Sequence, residues 1–251
     1  MVKTATLVSD LAAVAEDVAR ALTHVSTEGD SAFVSTSVKY ANGTSAVIRI
    51  SPIGDGYFVS DDGYAALIAD MMGALPTFSK VAPTVAKRFG VEFDHRSFFV
   101  MHVQRDQLPA AVSILANVSA VAVERTIWSL EAIKVKRSRI LFEERLHEAY
   151  GKRVRFGVSV RGATRPWDFD GVVLHGNQVQ AVFEFVAPAF NSVATANMKI
   201  GDVRSMTDAP YTVAALADYD RTESSLRAVL SNVADRVIPV STPADGYKLA
   251  A

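Results

Sequence analysis

The chain has no cysteine among its 251 residues. Disulfides, zinc–thiolate centres and thiol nucleophiles are thereby excluded. It also has almost no surplus of charge: 26 Lys and Arg stand against 27 Asp and Glu, for a formal net charge of −1. Bulk charge gives no argument for coating a nucleic acid, so any such contact must come from a local basic patch. The N-terminus lacks an uninterrupted apolar core, because Asp10, Glu16 and Asp17 interrupt it. That stretch reads as an amphipathic helix rather than a signal peptide. No apolar run of bilayer-spanning length is expected, and the chain reads as a cytoplasmic protein without a membrane partner. A glycine-rich phosphate loop, a His-Glu-x-x-His helix and a nucleophile elbow are missing too, so the commonest motif-borne enzyme chemistries have no foothold.

What is present is material for packed cores. Hydrophobic residues make up 49% and charged residues 21%, a balance that argues against disorder at a length suited to one large domain or two ordinary ones. Leu7, Leu11, Val14, Val18 and Leu22 fall at helical spacing. The period then changes. Phe33 to Val38 and Ala46 to Ile50 read as strands joined across Asn42-Gly43, a dipeptide that accepts positive φ in tight hairpins. "GYFVS" reads as a third strand. It runs into "SDDG", where Asp61 or Asp62 can accept hydrogen bonds from the first amides of the helix "YAALIADMMG". Capping is the expected role; paired carboxylates as a ligand site are the other, with no third ligand nearby.

A helix "TFSKVAPTVAKRFG" interrupted at Pro83 and stopped by Gly90, a hairpin "VEFDHRSFFVMHV" turning near "DHR" and a long apolar helix from Gln107 to about Ile133 complete a small α+β domain over residues 1–135. His95 and His102 lie a whole strand apart and read as turn and surface residues. The basic stretch "KVKRSR", residues 134 to 139, reads as a solvated junction. Contact with a phosphate backbone is its other reading. A new helix, "RILFEERLHEAYG", capped at Ser138 and stopped at Gly151, would open a second domain over residues 136–251. Strands "RVRFGVSV", "WDFDGVVLH" and "QVQAVFEFV" follow, then a helix, a buried strand, a helix and a final strand.

This second domain has the order α-β-β-β-α-β, with Asp168 and Asp170 on its second strand and Glu184 on its third. In that order and those acids it resembles the restriction-endonuclease-like superfamily over roughly residues 138 to 240, an α/β fold whose core carries metal-dependent nucleases. The resemblance implies Asp170, or Asp168 two residues earlier, and Glu184 as ligands of Mg²⁺, with Glu144 or Glu148 supplying a further oxygen. The ion would lower the pKa of a bound water and offset charge on the phosphate. The family's lysine two residues beyond the Glu is replaced by Val186. Lys199, on the following helix, is where that lysine could have moved, as happens within the superfamily. Read without the family, Asp170 and Glu184 are partners for Arg153, Arg155 or Arg165.

The whole chain also resembles a two-part family of phage and bacterial proteins with paired domains of unknown function. "GYFVSDDGYAALIADMMG", then "GVEFDHRSFFVMHV" and a long apolar helix, carry that likeness across residues 10 to 135. Association with phages and mobile elements is what this implies, with a part in conflict between phage and host. Two functions follow as expectations. One is a binding protein that contacts a protein or nucleic-acid partner through a degenerate nuclease-like fold, without cofactor, for instance as an inhibitor of host defence. The other is an active Mg²⁺-dependent nuclease in which Asp170, Glu184 and a displaced Lys199 are catalytic. Val186 favours the first; the surviving acids favour the second.

Overall fold

The computed structural model describes residues 3–249, with side chains from residue 11 onward, so Leu7 lies outside the described side chains. The chain is a mixed α+β protein with two separate sheets. It divides into two units, residues 1–131 and 132–251.

The first unit begins with α1 (Lys3–Ala21). Six strands follow: β1 (His24–Glu28), β2 (Ser31–Lys39), β3 (Ser45–Ile53), β4 (Gly56–Ser60), β5 (Glu92–Asp94) and β6 (Ser97–Val103). They form one antiparallel sheet in the order β1-β2-β3-β4-β6-β5. The Asn42-Gly43 turn joins β2 to β3 as its chemistry predicts, with Gly43 at φ 84°. Between β4 and β5 lie α2 (Tyr64–Met71) and α3 (Leu75–Phe89). Gly90 stops α3 as expected, but Pro83 sits inside the helix without interrupting it, contrary to the sequence expectation. Burial explains this: Phe78, Ala82, Val85 and Ala86 form one packed face across the proline, and tertiary packing outweighs the lost backbone bond.

The largest departure from expectation is α4, a single helix from Leu108 to Tyr150. The sequence predicted a helix to about Ile133, a basic junction and a second helix capped at Ser138. No glycine or proline occurs between Pro109 and Gly151, and the Lys, Arg and Glu residues in between are strong helix formers. Charge alone does not break a helix. Ser138 is not a cap; its hydroxyl donates to the Ala217 carbonyl at 3.2 Å. The start of α4 packs on the first sheet through Leu115, Ala116, Val118, Ala122 and Val123, and its end packs on the second through Phe142 and Leu146. By length and composition this helix could also cross a membrane, with 44% of its apolar window buried inside the fold. The expectation of no such run is corrected to that extent.

The second unit continues with β7 (Val154–Arg161), β8 (Pro166–His175), β9 (Gln178–Val186), α5 (Phe190–Arg204), β10 (Tyr211–Leu216), α6 (Ser224–Val233), β11 (Arg236–Pro239) and α7 (Ala244–Tyr247). Its sheet has the order β11-β10-β9-β8-β7. β7, β8 and β9 are antiparallel neighbours, whereas β9, β10 and β11 run parallel. Each face of this sheet has its own core. Phe183 and Phe185 of β9 pack with Phe142 and Leu146 of α4. Val182 and Val186 pack on the opposite side with Val193, Ala196, Ile200 and Val203 of α5. Strand alternation produces this division. A buried central strand flanked on both faces is where a charged residue needs a dedicated partner.

Candidate functional site at the β8–β9 hairpin

β9 is the middle strand, and Glu184 interrupts its otherwise apolar buried run. Gly171 of β8 pairs with Phe183, so Asp170 and Glu184 are the next facing pair along the hairpin. Glu184 is 5% exposed and lies between Phe183 and Phe185, so alternation turns it toward α5. Lys199 meets it there: its ammonium donates to Glu184 Oε1 at 2.6 Å and to the Asp168 carbonyl at 2.8 Å. Lys199 can do this because Ala196, Ile200 and Val203 fix the inward face of α5. Val186 is fully buried in the same layer. The cation beside Glu184 therefore comes from α5 and not from its own strand.

Asp170 is held separately. Its Oδ1 accepts from Arg139 Nη1 of α4 at 2.6 Å, and its Oδ2 accepts from the Phe185 amide at 2.9 Å. The Arg139 guanidinium also lies over the Phe185 ring, 4.6 Å from its centroid. Each acid therefore has one cation, supplied by a different helix. Asp168 contributes its main-chain carbonyl to Lys199, while its carboxylate is exposed and makes no hydrogen bond or ion pair among the described residues.

The electrostatics of Glu184 set it apart. Burial pushes its carboxyl up from 4.5 to about 7, against the hydrogen bond from Lys199, with the negative charge of Asp170 adding to the rise. Its Oε2 is buried and has no hydrogen-bond partner. An ionised carboxylate with an orphaned oxygen is costly in a core unless a ligand completes it.

The arginines expected from sequence to neutralise these acids are elsewhere. Arg155 donates to the Lys152 and Val154 carbonyls, Arg153 lies over Tyr150, and Arg165 stacks 3.9 Å from the Trp167 ring centroid. Glu148 is paired with Arg145 at 2.7 Å, and Glu144 is exposed on α4. Neither joins Asp170 and Glu184. Among the described residues no three His, Asp or Glu side chains gather as a metal cluster. The residue that sequence reasoning missed is Arg139. Its signal is its spacing: it lies three residues before the core residue Phe142, at the start of the stretch expected to be helical.

The other acidic motif, "SDDG", resolves differently. Asp61 is completely buried and accepts from the Phe98 amide at 2.7 Å, the Gly63 and Ala65 amides at 3.2 Å each, and the Ser119 hydroxyl at 3.1 Å. It ties the start of α2 to β6 and α4. Asp62, at φ 53°, pairs with Arg49 at 3.0 Å. Compared with known proteins, the chain matches no family model, no curated protein and no solved structure.

Proposed function

We propose that the second unit is a divalent-metal-dependent phosphodiesterase domain acting on nucleic acid, with a restriction-endonuclease-like core and its lysine displaced to α5. The observation that carries this reading is the 2.6 Å contact between Lys199 and Glu184. It puts an ammonium beside the carboxylate whose own strand offers only Val186. The topology supports the reading too: a leading helix, three antiparallel strands, a helix and a parallel strand follow one another in that order.

The donor set fits Mg²⁺. The ion takes hard oxygen ligands and is commonly held by one or two carboxylates plus waters. Glu184 Oε2 has no other partner, and Asp170 faces it across the hairpin. Bound there, the ion would supply charge for the phosphate and lower the pKa of a water. The protein's own residues do the rest. Glu184 would be drawn into its ionised form. Lys199, 18% exposed and anchored on the Asp168 carbonyl, would hold a fixed positive charge where negative charge develops on phosphate. Asp170 would be kept in place by the Phe185 amide.

A second reading has an observation of its own. Arg139 already neutralises Asp170, as a cation built into the fold in place of a metal. On this reading the domain binds a nucleic acid or a protein without cutting, as an antagonist of host defence carried by a phage or mobile element could do.

Purified protein incubated with single- and double-stranded DNA and RNA, with Mg²⁺ or Mn²⁺, separates the two. Cleavage abolished by Asp170→Asn and by Glu184→Gln, and reduced about 10²–10³-fold by Lys199→Met, is the expected result. Binding without metal-dependent cleavage would favour the second reading instead.

A further inference from the structure

Lys199 and Arg139 are not equivalent cations. Lys199 has two acceptors and its side chain is 18% exposed. Arg139 donates to Asp170 through Nη1 alone, and its side chain is 45% exposed. Its planar guanidinium carries five donors, so most of them remain free beside the acids. Its other support is the Phe185 ring, a contact that holds the plane of the group without consuming a donor. Lys199 is fixed in place. Arg139 is free to exchange.

We infer that Arg139 is an exchangeable lock on Asp170: it occupies the carboxylate when no divalent cation is bound, and turns its guanidinium to the phosphate of the substrate when one is. This rests on the metal-dependent reading above. The physical argument is charge balance. Glu184 and Asp170 bring at most two negative charges, and Lys199 and Arg139 already offset both. A divalent cation entering that group produces a surplus of two positive charges in a partly buried space, and the group able to leave is the exposed, singly bonded one. A phosphodiester brings back negative charge. A guanidinium standing on a ring beside it suits the paired oxygens of a phosphate. The same residue would thus oppose metal binding alone and favour metal and substrate together.

That coupling is measurable without turnover. Mn²⁺ is titrated calorimetrically into the wild-type chain, Arg139→Gln, Arg139→Lys and the double variant Asp170→Asn/Glu184→Gln, with thermal unfolding recorded to show that each is folded. Binding of a single-stranded oligonucleotide carrying a non-hydrolysable backbone is then measured with Mn²⁺ present and absent. Removal of a half-exposed ion pair should tighten Mn²⁺ binding about fivefold in Arg139→Gln. It should also weaken the Mn²⁺-dependent part of oligonucleotide binding, with Arg139→Lys lying between. If wild type takes no Mn²⁺ and Arg139→Gln does, the lock is supported in its strongest form. If both bind Mn²⁺ equally, the lock is overturned while the metal site stands. If neither binds, or the double variant binds as wild type does, the metal site and the lock fall together.

Discussion

Two carboxylates are buried among the described residues, one in each unit: Asp61 and Glu184. Both are pushed above their ordinary range by burial. The two differ in what surrounds them. Asp61 has four donors on its two oxygens, three of them main-chain amides of the β4–α2 turn, α2 and β6. Glu184 has one side-chain donor, a lysine, with the Asp170 amide close by, and one oxygen without a hydrogen bond. A buried acid saturated by amides is a fastening, because every donor belongs to the fold itself. A buried acid left half-satisfied beside a single cation has capacity for a ligand. Burial and a raised pKa alone would have ranked them together; the hydrogen-bond inventory separates them.

The comparison is tested most severely at Asp61. Asp61→Ala strands the Phe98, Gly63 and Ala65 amides and the Ser119 hydroxyl in the interior. Each unsatisfied buried group costs about 1–3 kcal/mol. Partial relaxation keeps the sum below a simple total, and a loss of about 3 kcal/mol is expected in urea unfolding. Mn²⁺ affinity at the β8–β9 hairpin should be unchanged in the folded variant. A stable Asp61→Ala protein that had lost metal or partner binding would move "SDDG" into the functional site.

Glu184 gives the opposite signature, and the sign follows from proton linkage. Its carboxyl holds a proton up to about 7 in the folded chain, against an ordinary value of 4.5. Between those values the folded state binds more protons than the unfolded one, so stability falls as pH rises through the window. The loss should be about 3 kcal/mol. Glu184→Gln, which cannot ionise, should flatten that part of the pH–stability curve and leave the rest alone. Mg²⁺ should act in the reverse sense, raising the melting temperature of wild type more at pH 8 than at pH 5.5. A Glu184→Gln curve parallel to wild type would mean that this carboxyl does not titrate in the window.

Much of the second unit was legible in the sequence because alternation and turn chemistry are local. "WDFDGVVLH" and "QVQAVFEFV" became β8 and β9 with the turn at Gly176, and period two placed Glu184 and Val186 on the face opposite Phe183 and Phe185. Lys199 could be suspected only through the resemblance, which allows the lysine on the following helix; the structure places it three residues past the buried Ala196 of α5. Arg139 could not. A helix beginning at Arg139 is expected, but the end of a basic run carries the same local signal whether its guanidinium meets solvent or an acid on another element. The partner of Asp170 was also out of reach. Three arginines near the hairpin in sequence were candidates, yet the one that pairs with it is 31 residues away. The strand β1 was missed altogether, for its five residues are all exposed and show no apolar alternation. The four donors of Asp61 illustrate the same limit: capping of α2 is a local inference, but Phe98 and Ser119 come from 37 and 58 residues further on.

The smallest effect is expected next door to the largest. Asp62 adjoins Asp61, has the same chemistry and lies in the same turn, yet its side chain is 50% exposed and its partner Arg49 is 32% exposed. Exposed ion pairs contribute little, since water screens the charges and two side chains must be held still. Arg49 has a second support in the Phe58 ring, 5.7 Å from its guanidinium, and would keep its position without Asp62. The left-handed backbone of Asp62 adds a further consideration. Asp tolerates φ 53° better than Ala does, so Asp62→Ala combines a lost pair with added strain, whereas Asp62→Gly loses the pair and relieves strain. Asp62→Ala should cost about 1 kcal/mol and Asp62→Gly about 0.5 kcal/mol or less in urea unfolding, with the pair's share reduced at 1 M salt. A cost for Asp62→Gly as large as that for Asp61→Ala would mean that the carboxylate of Asp62, exposed as it is, holds the turn together as firmly as four buried hydrogen bonds do.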